Sequence, residues 1–298
     1  MGTDETCMAW VNDEIGRAVG LPREIGGIPL DEIGATGWGL SHAVDVAASY
    51  VGLSLGGARL AVQGFGAVGK HAARFLAERG LVLVAASDSY GTIHDPEGLD
   101  LASLVKLKES GQTVCDYPRG RKLGRDGILD VECDVWIPAA RPDVVNEGNA
   151  HRLSTKVVAQ GANIPFTAGA EKLLHDRGVL VVPDFIANAG GVICAAMEFQ
   201  GASQSAAFAA IQEKVRTNTT QVLEASVKEA ILPREAAMRM AADRVSALWA
   251  IADGDCINHV PHSLPRAWWA GDQNGKPDPW HRLLPGGVRG AGRAPVWG

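Results

Sequence analysis

The stretch Gly64-Phe65-Gly66-Ala67-Val68-Gly69 decides the fold that this sequence predicts. It has the form G-x-G-x-x-G and stands between the apolar run 59–63, which predicts a buried strand, and residues 68–79, which predict an amphipathic helix. In that context the first glycine permits a tight turn, the second lets the backbone approach a pyrophosphate, and the third lets the helix pack closely on the strand. The motif therefore predicts a dinucleotide site at the helix N-terminus, where free N–H groups favour phosphate.

A carboxylate follows the next predicted strand. Asp88 comes directly after the apolar run 81–87, where an acidic side chain usually accepts hydrogen bonds from the adenosine ribose hydroxyls. This favours NAD over NADP, because a carboxylate repels a 2′-phosphate unless a nearby basic group compensates. The neighbouring Ser89 belongs to the same predicted site. The alternative is that Asp88 only caps the turn 87–91.

Short apolar runs and helical patterns alternate along the middle of the chain. Besides 59–63 and 81–87, strands are predicted at 134–138, 156–159 and 179–182, and helices at 99–109 and 168–177. From residue 190 the pattern is helical to about residue 251, with a break at Pro233. The alternation predicts an α/β fold, a Rossmann-type doubly wound parallel sheet with flanking C-terminal helices.

The two ends differ from the middle. An amphipathic helix is predicted at 3–20, a connector rich in glycine and proline at 21–39, and a helix at 40–51. We expect four segments: an N-terminal helix and connector (1–50), the dinucleotide-binding domain (51–200), C-terminal helices (201–253) and an irregular tail (254–298). The tail is rich in proline, glycine and tryptophan, which leaves two alternatives, a poorly ordered extension or a segment that docks through its tryptophans.

Composition and charge disfavour several classes of protein. The net charge of −6 gives no reason to expect a nucleic-acid or anionic membrane partner. No apolar run approaches the roughly 18 residues of a membrane span. The five cysteines lack C-x-x-C spacing, which argues against a disulfide framework and a metal site, so we expect a protein of the reducing cytoplasm. The basic cluster at 119–125 is either a solvated loop or a contact with a phosphate.

Six blocks in order resemble the glutamate/leucine/phenylalanine/valine dehydrogenase family. They are Ala35-Thr36-Gly37, the glycine stretch 64–69, Ser87-Asp88-Ser89, Ile137-Pro138-Ala139-Ala140, Gly161-Ala162-Asn163, and Pro183-Asp184 with Ala187-Asn188-Ala189-Gly190-Gly191-Val192. The resemblance runs from Gly2 to about Ala250. It implies a part in the reversible, NAD(P)-linked oxidative deamination of an L-amino acid to a 2-oxo acid and ammonium.

The resemblance also implies roles for single residues. Thr36 is expected to bond the nicotinamide carboxamide, Ala139 and Ala140 to line the adenosine side, and Asn163 to approach the nicotinamide ribose. Asn188 is expected where cofactor and substrate meet. Polar groups at the carboxyl ends of parallel strands face the crevice in which such folds bind ligands, which agrees with these roles. The alternative for both asparagines is turn formation.

Two departures from the family pattern concern the substrate. Glutamate-specific members generally have an arginine just before Ala-Thr-Gly and a serine after Asn-Ala-Gly-Gly-Val, and here Glu32 and Ala195 stand at those positions. A carboxylate and a methyl group cannot bind a second carboxylate as a guanidinium and a hydroxyl do. We therefore expect a less acidic substrate, with Asn188, Val192 and Ala195 as its candidate contacts.

The resemblance further implies a substrate domain with catalytic lysines and an aspartate, which would precede Met1 and are not in this sequence. None of the lysines present follows a glycine pair or a predicted strand end, so we expect no catalytic residue in this chain, which alone is expected to be inactive. We expect the substrate domain and a homo-oligomer as partners. The alternative is a non-catalytic NAD(P)-binding module or regulatory chain. A hydroxy-acid dehydrogenase is more distant, since the histidines fall mainly on predicted helices or turns.

Overall fold

The structure is a computed structural model that describes residues 4–252. Its contacts form two units, Met1–Asp243 and Arg244–Gly298. All the strands described below lie in the first unit, and the last helix extends from the first unit into the second. The predicted tail 254–298 lies outside the described residues. None of the described helices combines the length and the apolar character needed to cross a lipid bilayer.

The described residues contain one sheet of seven strands. The strands are β1 (Arg59–Gln63), β2 (Val82–Ser87), β3 (Thr92–His94), β4 (Arg121–Leu123), β5 (Val135–Pro138), β6 (Val157–Ala159) and β7 (Leu180–Val182). Their order across the sheet is β4-β3-β2-β1-β5-β6-β7. The predicted strands are confirmed, with ends that differ by one residue at most.

The sheet is parallel, as predicted, except at one edge. The pairs from β2 through β1, β5 and β6 to β7 are parallel, whereas β3 pairs antiparallel with β2 and with β4. The strands β3 (Thr92-Ile93-His94) and β4 (Arg121-Lys122-Leu123) are short and largely polar, so they lack the apolar run that predicted the equally short β6 and β7. In β4, Arg121 and Lys122 are exposed, so the basic cluster lies partly on an edge strand.

Helices occupy most of the remaining described chain. They are α1 (Glu5–Ile15), α2 (Leu30–Ile33), α3 (Ala35–Tyr50), α4 (Ala67–Ala77), α5 (Leu101–Glu109), α6 (Ala168–Asp176), α7 (Asp184–Ala187), α8 (Gly190–Phe199), α9 (Gln204–Glu229) and α10 (Pro233–Ala252). The short helices α2 and α7 were not predicted, and the helical region after residue 190 has a second break, at residues 200–203, before α9. The fold is α/β with C-terminal helices, as predicted.

Two predicted helix boundaries are wrong. Helix α1 ends at Ile15 rather than near Gly20, because Gly16 adopts a left-handed φ of 67° and its N–H caps the helix at Asn12. Helix α3 begins at Ala35 rather than at residue 40. The glycines in its first turns have a packing role: a Cβ on Gly37 would lie 2.6 Å from the backbone nitrogen of Ala72 in α4.

The sheet has an apolar core on each face. Successive residues of a strand point to opposite faces, so in β5 Val135 and Ile137 join one core, whereas Trp136 joins the other. The first core also takes buried residues of α3, α4 and α9, and the second those of α6 and the segment Arg125–Asp130. Because both faces are covered, ligands can reach the sheet only at its edges or strand ends.

Candidate cofactor site

The carboxyl ends of five parallel strands meet at one side of the sheet. The chain passes from β1 to β2 on one flank and later returns to β5 on the other, so the ends of β1 and β5 border a topological switch point. Open α/β sheets bind their ligands in the crevice outside such a point. The predicted cofactor residues after β1, β2, β5 and β6 all follow strand ends on this side.

The glycine turn, residues 64–69, follows β1 and opens α4. Gly64 has a left-handed φ of 93°, and a Cβ added there would lie 2.6 Å from the Cβ of Ala140. A Cβ on Gly69 would lie 2.0 Å from the carbonyl oxygen of Gly64, so the helix packs directly on the turn. The buried Phe65 anchors the turn, and its N–H donates to the Ser87 carbonyl of β2 at 2.8 Å.

Gly66 differs from the other two glycines of the turn. A Cβ added to it would meet no atom within 4 Å, because the residue faces open space. It is the N-cap of α4, whose first turn begins with Ala67 and Val68. The first N–H groups of a helix have no intrahelical partner, so they are available to a ligand there. The turn therefore has the form of a phosphate cradle, tightly packed on the protein side and open at Gly66.

Asp88 forms the turn after β2 and also an ion pair. Its Oδ1 accepts from the N–H of Tyr90 at 2.9 Å, and its Oδ2 accepts from Lys108 Nζ at 2.8 Å and from the N–H of Val114 at 2.9 Å. Burial disfavours its charged form, but these hydrogen bonds prevail and lower its pKa below the ordinary value. The turn role considered as an alternative is thus present, and Ser89 beside it is exposed.

Lys108 was missed by the sequence analysis, in which no lysine was placed at a strand end. It lies in the last turn of α5, and its side chain reaches back to the end of β2. Lys108 lies on a helix, and Asp88 follows a strand 20 positions earlier in the chain. No local sequence pattern connects two such residues. The structure therefore corrects the expectation by adding a cation beside Asp88.

Two alanines follow β5 beside the glycine turn. The N–H of Ala139 donates to the Gln63 carbonyl at 2.7 Å, which continues the pairing with β1 past the strand end. Ala140 is exposed and contacts Gly64 closely. Small side chains at these two positions leave room for the close approach of Gly64.

The two asparagines predicted from the resemblance lie together. Asn188 Nδ2 donates to Asn163 Oδ1 at 2.8 Å and approaches the Gly161 carbonyl at 3.4 Å. Asn163 follows β6, and Asn188 follows α7, whose first residue Asp184 comes after β7. The structure thus brings both amides to the carboxyl side of the sheet half formed by β5, β6 and β7.

Thr36 lies in the first turn of α3 against the start of α8. A Cβ on Gly191 would lie 2.9 Å from Thr36 Oγ1, and one on Gly190 would lie 2.2 Å from the Ala35 carbonyl oxygen. The glycine pair is therefore required for this approach of the two helices. It holds the Thr36 hydroxyl close to the segment that begins with Asn188.

The two other predicted substrate contacts lie elsewhere on α8. Val192 and Ala195 line an open, mostly apolar hollow of about 460 Å³ between α1 and α8, together with Met8, Val11, Arg17 and Phe199. Val192 is 76% exposed. Glu32, at the position where an arginine is generally found, pairs with Arg23 at 3.0 Å on the surface.

Glu198 of α8 has a structural role that the sequence did not reveal. Its carboxylate accepts from the N–H groups of Gly20, Leu21 and Ile28 at 2.6, 2.9 and 3.1 Å. These three bonds attach the connector between α1 and α2 to α8. Among the described residues, no group of three His, Cys, Asp or Glu side chains is arranged to hold a metal ion, and Cys7, Cys115, Cys133 and Cys194 are free thiols.

Comparison with known proteins gives consistent results. A glutamate dehydrogenase of Aeropyrum pernix is 40% identical over 262 residues, which cover 82% of this chain and 62% of that protein. An NADP-specific glutamate dehydrogenase of Saccharolobus shibatae is 35% identical, over 67% of this chain and 49% of that protein. The chain thus spans less than two thirds of the length of these relatives.

A solved structure has the same fold. The crystal structure of the hetero-hexameric glutamate dehydrogenase from Thermus thermophilus, in its leucine-bound form, superposes with a TM-score of 0.74 at 28% identity. The match covers 82% of this chain and 61% of that one. The sequence model described as Glutamate/Leucine/Phenylalanine/Valine dehydrogenase matches residues 26–250, which is most of the chain. The chain therefore belongs to the glutamate/leucine/phenylalanine/valine dehydrogenase family.

Proposed function

We propose that this chain is the cofactor-binding part of an NAD(P)-dependent amino-acid dehydrogenase, which oxidatively deaminates an L-amino acid to the 2-oxo acid and ammonium. The observation that carries the proposal is the glycine turn at the switch point of the sheet, packed tightly at Gly64 and Gly69 and open at Gly66. Membership of the family supports the class of reaction.

The geometry favours one orientation of the dinucleotide. The pyrophosphate would lie at Gly66 and the start of α4, with the adenosine toward Asp88, Ser89 and the two alanines after β5. The nicotinamide would then lie over β6 and β7, beside Asn163, Asn188 and Thr36. When bound, the nicotinamide accepts the hydride from the substrate carbon. The residues of this chain would hold and orient the cofactor at this side of the sheet.

NAD is the cofactor that we propose, and NADP is the alternative. The Asp88 carboxylate suits free ribose hydroxyls, and its negative charge disfavours a 2′-phosphate. The ion pair with Lys108 at 2.8 Å weakens that discrimination, because the ammonium offsets the carboxylate charge. The Saccharolobus relative is described as NADP-specific, which keeps the alternative open.

For the substrate we propose a neutral or apolar L-amino acid, with glutamate as the alternative. The methyl group of Ala195 offers no partner for a second carboxylate, and the side chains that line the hollow around it are apolar except for Arg17, which lies over the Phe199 ring. Glu32 is negative and already paired with Arg23. The relatives named above are described as glutamate dehydrogenases, so an acidic substrate would have to be recognised by other groups.

The proposed partners are a substrate domain and further copies of the chain. Three large apolar side chains on α1 and α8 are strongly exposed: Trp10 by 66%, Ile15 by 68% and Phe199 by 59%. Exposed apolar groups of this size favour burial against another surface. We also propose a cytoplasmic location, which suits the free thiols, and the division into segments 1–50, 51–200, 201–253 and 254–298.

Calorimetry with the purified chain tests the proposal. We expect NADH to bind saturably at one site. Amino acids with NAD should give only background turnover, because a base and a proton donor for amine oxidation are not among the proposed site residues. Failure to bind NADH, NADPH or ADP-ribose would contradict the cofactor site. Rapid turnover by the chain alone would contradict its role as the cofactor-binding part.

A further inference from the structure

A buried ionic cluster lies behind the two asparagines. It consists of Arg234 at the start of α10, Glu171 of α6, Asp184 at the start of α7, and Gln160 after β6. The Arg234 side chain is 27% exposed, and the two carboxylates are almost fully buried. Buried charges of this kind are retained only where their partners are well placed.

The guanidinium binds three of these side chains at once. Its Nε donates to Glu171 Oε2 at 2.7 Å, and its Nη2 donates to Glu171 Oε1 and to Gln160 Oε1 at 2.8 Å. The same Nη2 lies 3.0 Å from Asp184 Oδ1, a contact of opposite charges without hydrogen-bond geometry. A planar fork is needed to reach these oxygens together, which an arginine supplies and a lysine does not.

Asp184 transmits this anchoring to both asparagines. Its Oδ2 accepts from the N–H of Ile164 at 2.7 Å, and Ile164 directly follows Asn163. Ile164 has a left-handed φ of 50°, which a β-branched residue adopts only where its surroundings impose it. The carbonyl of Asp184 accepts from the N–H of Asn188 at 2.7 Å. The carboxylate of Asp184 therefore fixes the backbone beside Asn163, and the main chain of the same residue begins the helix α7, whose C-cap is Asn188.

We propose that Arg234 is a positioning residue for the nicotinamide half of the cofactor site. It holds Asp184, and Asp184 sets the places of Asn163 and Asn188. The inference rests on the proposed function, since it assumes that a dinucleotide lies along this crevice. Helix α10 then determines how the nicotinamide end binds, although it is remote in sequence from the glycine turn. The adenosine end is unaffected.

Paired titrations with NADH and ADP test the proposal on the full chain. ADP contains the adenosine and the two phosphates but neither the ribose nor the ring of the nicotinamide end, so the ratio of the two dissociation constants isolates that end. We expect Arg234→Met to weaken NADH by about tenfold and ADP by less than about twofold. The fluorescence of bound NADH, which responds to the surroundings of the nicotinamide ring, should move toward that of free NADH.

Two further variants make the test decisive. Arg239→Met removes an arginine of the same helix whose ion pair with Glu229 is on the surface, and it should change neither affinity. Asp184→Asn removes one buried charge while the Arg234–Glu171 pair remains, so it replaces Arg234→Met in the test if that variant fails to fold. It should likewise weaken NADH and leave the affinity for ADP unchanged. Unchanged NADH binding in a folded variant, or an equal loss of both ligands, would overturn the proposal. A wild-type chain that binds neither ligand would instead contradict the proposed function.

Discussion

The side-chain amide of Asn188 donates a hydrogen bond of 2.8 Å to the side-chain oxygen of Asn163, although 25 positions separate the two residues. Each residue follows a different parallel strand, and the contact exists because β6 and β7 are neighbours in the sheet. The two amides therefore form one polar unit at the proposed nicotinamide end, and their effects on binding should be coupled.

A double-mutant cycle tests that coupling. Asn163→Ala and Asn188→Ala should each weaken NADH by about three- to tenfold, the worth of one hydrogen bond. The double variant should lose less than the product of the two effects, because either substitution already breaks the shared bond. ADP titrations provide the control, because ADP lacks both the ribose and the ring of the nicotinamide end. Effects that multiply independently would show that the two amides do not act together.

The ion pair between Asp88 and Lys108 should influence the preference between NADH and NADPH. Asp88→Ala should weaken NADH more than NADPH, because it removes an acceptor for the ribose hydroxyls and frees an ammonium that attracts a 2′-phosphate. Lys108→Met should act in the opposite sense and lower the affinity for NADPH relative to NADH. Both ratios can be measured by fluorescence titration. Equal losses for the two cofactors with Asp88→Ala would mean that Asp88 serves only the turn.

The stability of the fold should depend on the ionisation of His42. Burial, reinforced by the positive charges of Arg79 and Arg216, lowers the pKa of His42 from 6.5 to about 4. The unfolded chain therefore takes up a proton near pH 6.5, whereas the folded chain does so only near pH 4. The contribution of neutral, buried His42 to the free energy of unfolding is therefore complete above pH 6.5 and is lost as the pH falls toward 4.

Urea unfolding at several pH values checks this dependence. The free energy of unfolding of the wild type should fall between pH 6.5 and 4, and the fall should be smaller in His42→Asn. The exposed His151 offers a matched control, and His151→Asn should keep the wild-type slope. If His42→Asn and the wild type lose stability equally over this range, the assignment to His42 is wrong.

A side chain introduced at Gly69 should destabilise the fold, whereas one introduced at Gly66 should not. Gly69→Ala places a Cβ 2.0 Å from a carbonyl oxygen and must displace backbone, so we expect a loss of about 1–3 kcal/mol in the free energy of unfolding. Gly66→Ala enters open space and should leave stability within about 0.5 kcal/mol of the wild type. Thermal unfolding of the two variants gives the comparison. Equal stability would show that the close packing of α4 on the turn is not required.

Short-range patterns were sufficient for much of this fold. The glycine turn, the five parallel strands and the start of α10 at Pro233 follow from local chemistry, so the sequence predicted them. The proposed cofactor residues at strand ends came from the order of the motifs together with the resemblance. In each case the signal lies within one element or directly beside it.

The remaining features depend on contacts between distant residues. The strands β3 and β4 are stabilised by pairing with neighbouring strands, which the local sequence does not reveal. The glycines at the start of α3 predicted a connector rather than a helix, because the residues of α4 and α8 against which they pack are far away in the sequence. Arg234 and Glu171 are 63 positions apart. Nothing in either local sequence distinguishes such a pair from ordinary surface charges, so the cluster behind the site could not be predicted.

The central claim is that the open space at Gly66 receives the cofactor pyrophosphate, and calorimetry of Gly66→Val tests it most directly. A valine side chain there would occupy the phosphate position without meeting protein atoms within 4 Å of its Cβ. Gly56→Val is the matched control, since Gly56 also faces open space but precedes β1, at the opposite end of the strand. We predict that Gly66→Val remains folded and no longer binds NADH, whereas Gly56→Val binds as the wild type does. Undiminished NADH binding by folded Gly66→Val would contradict the account.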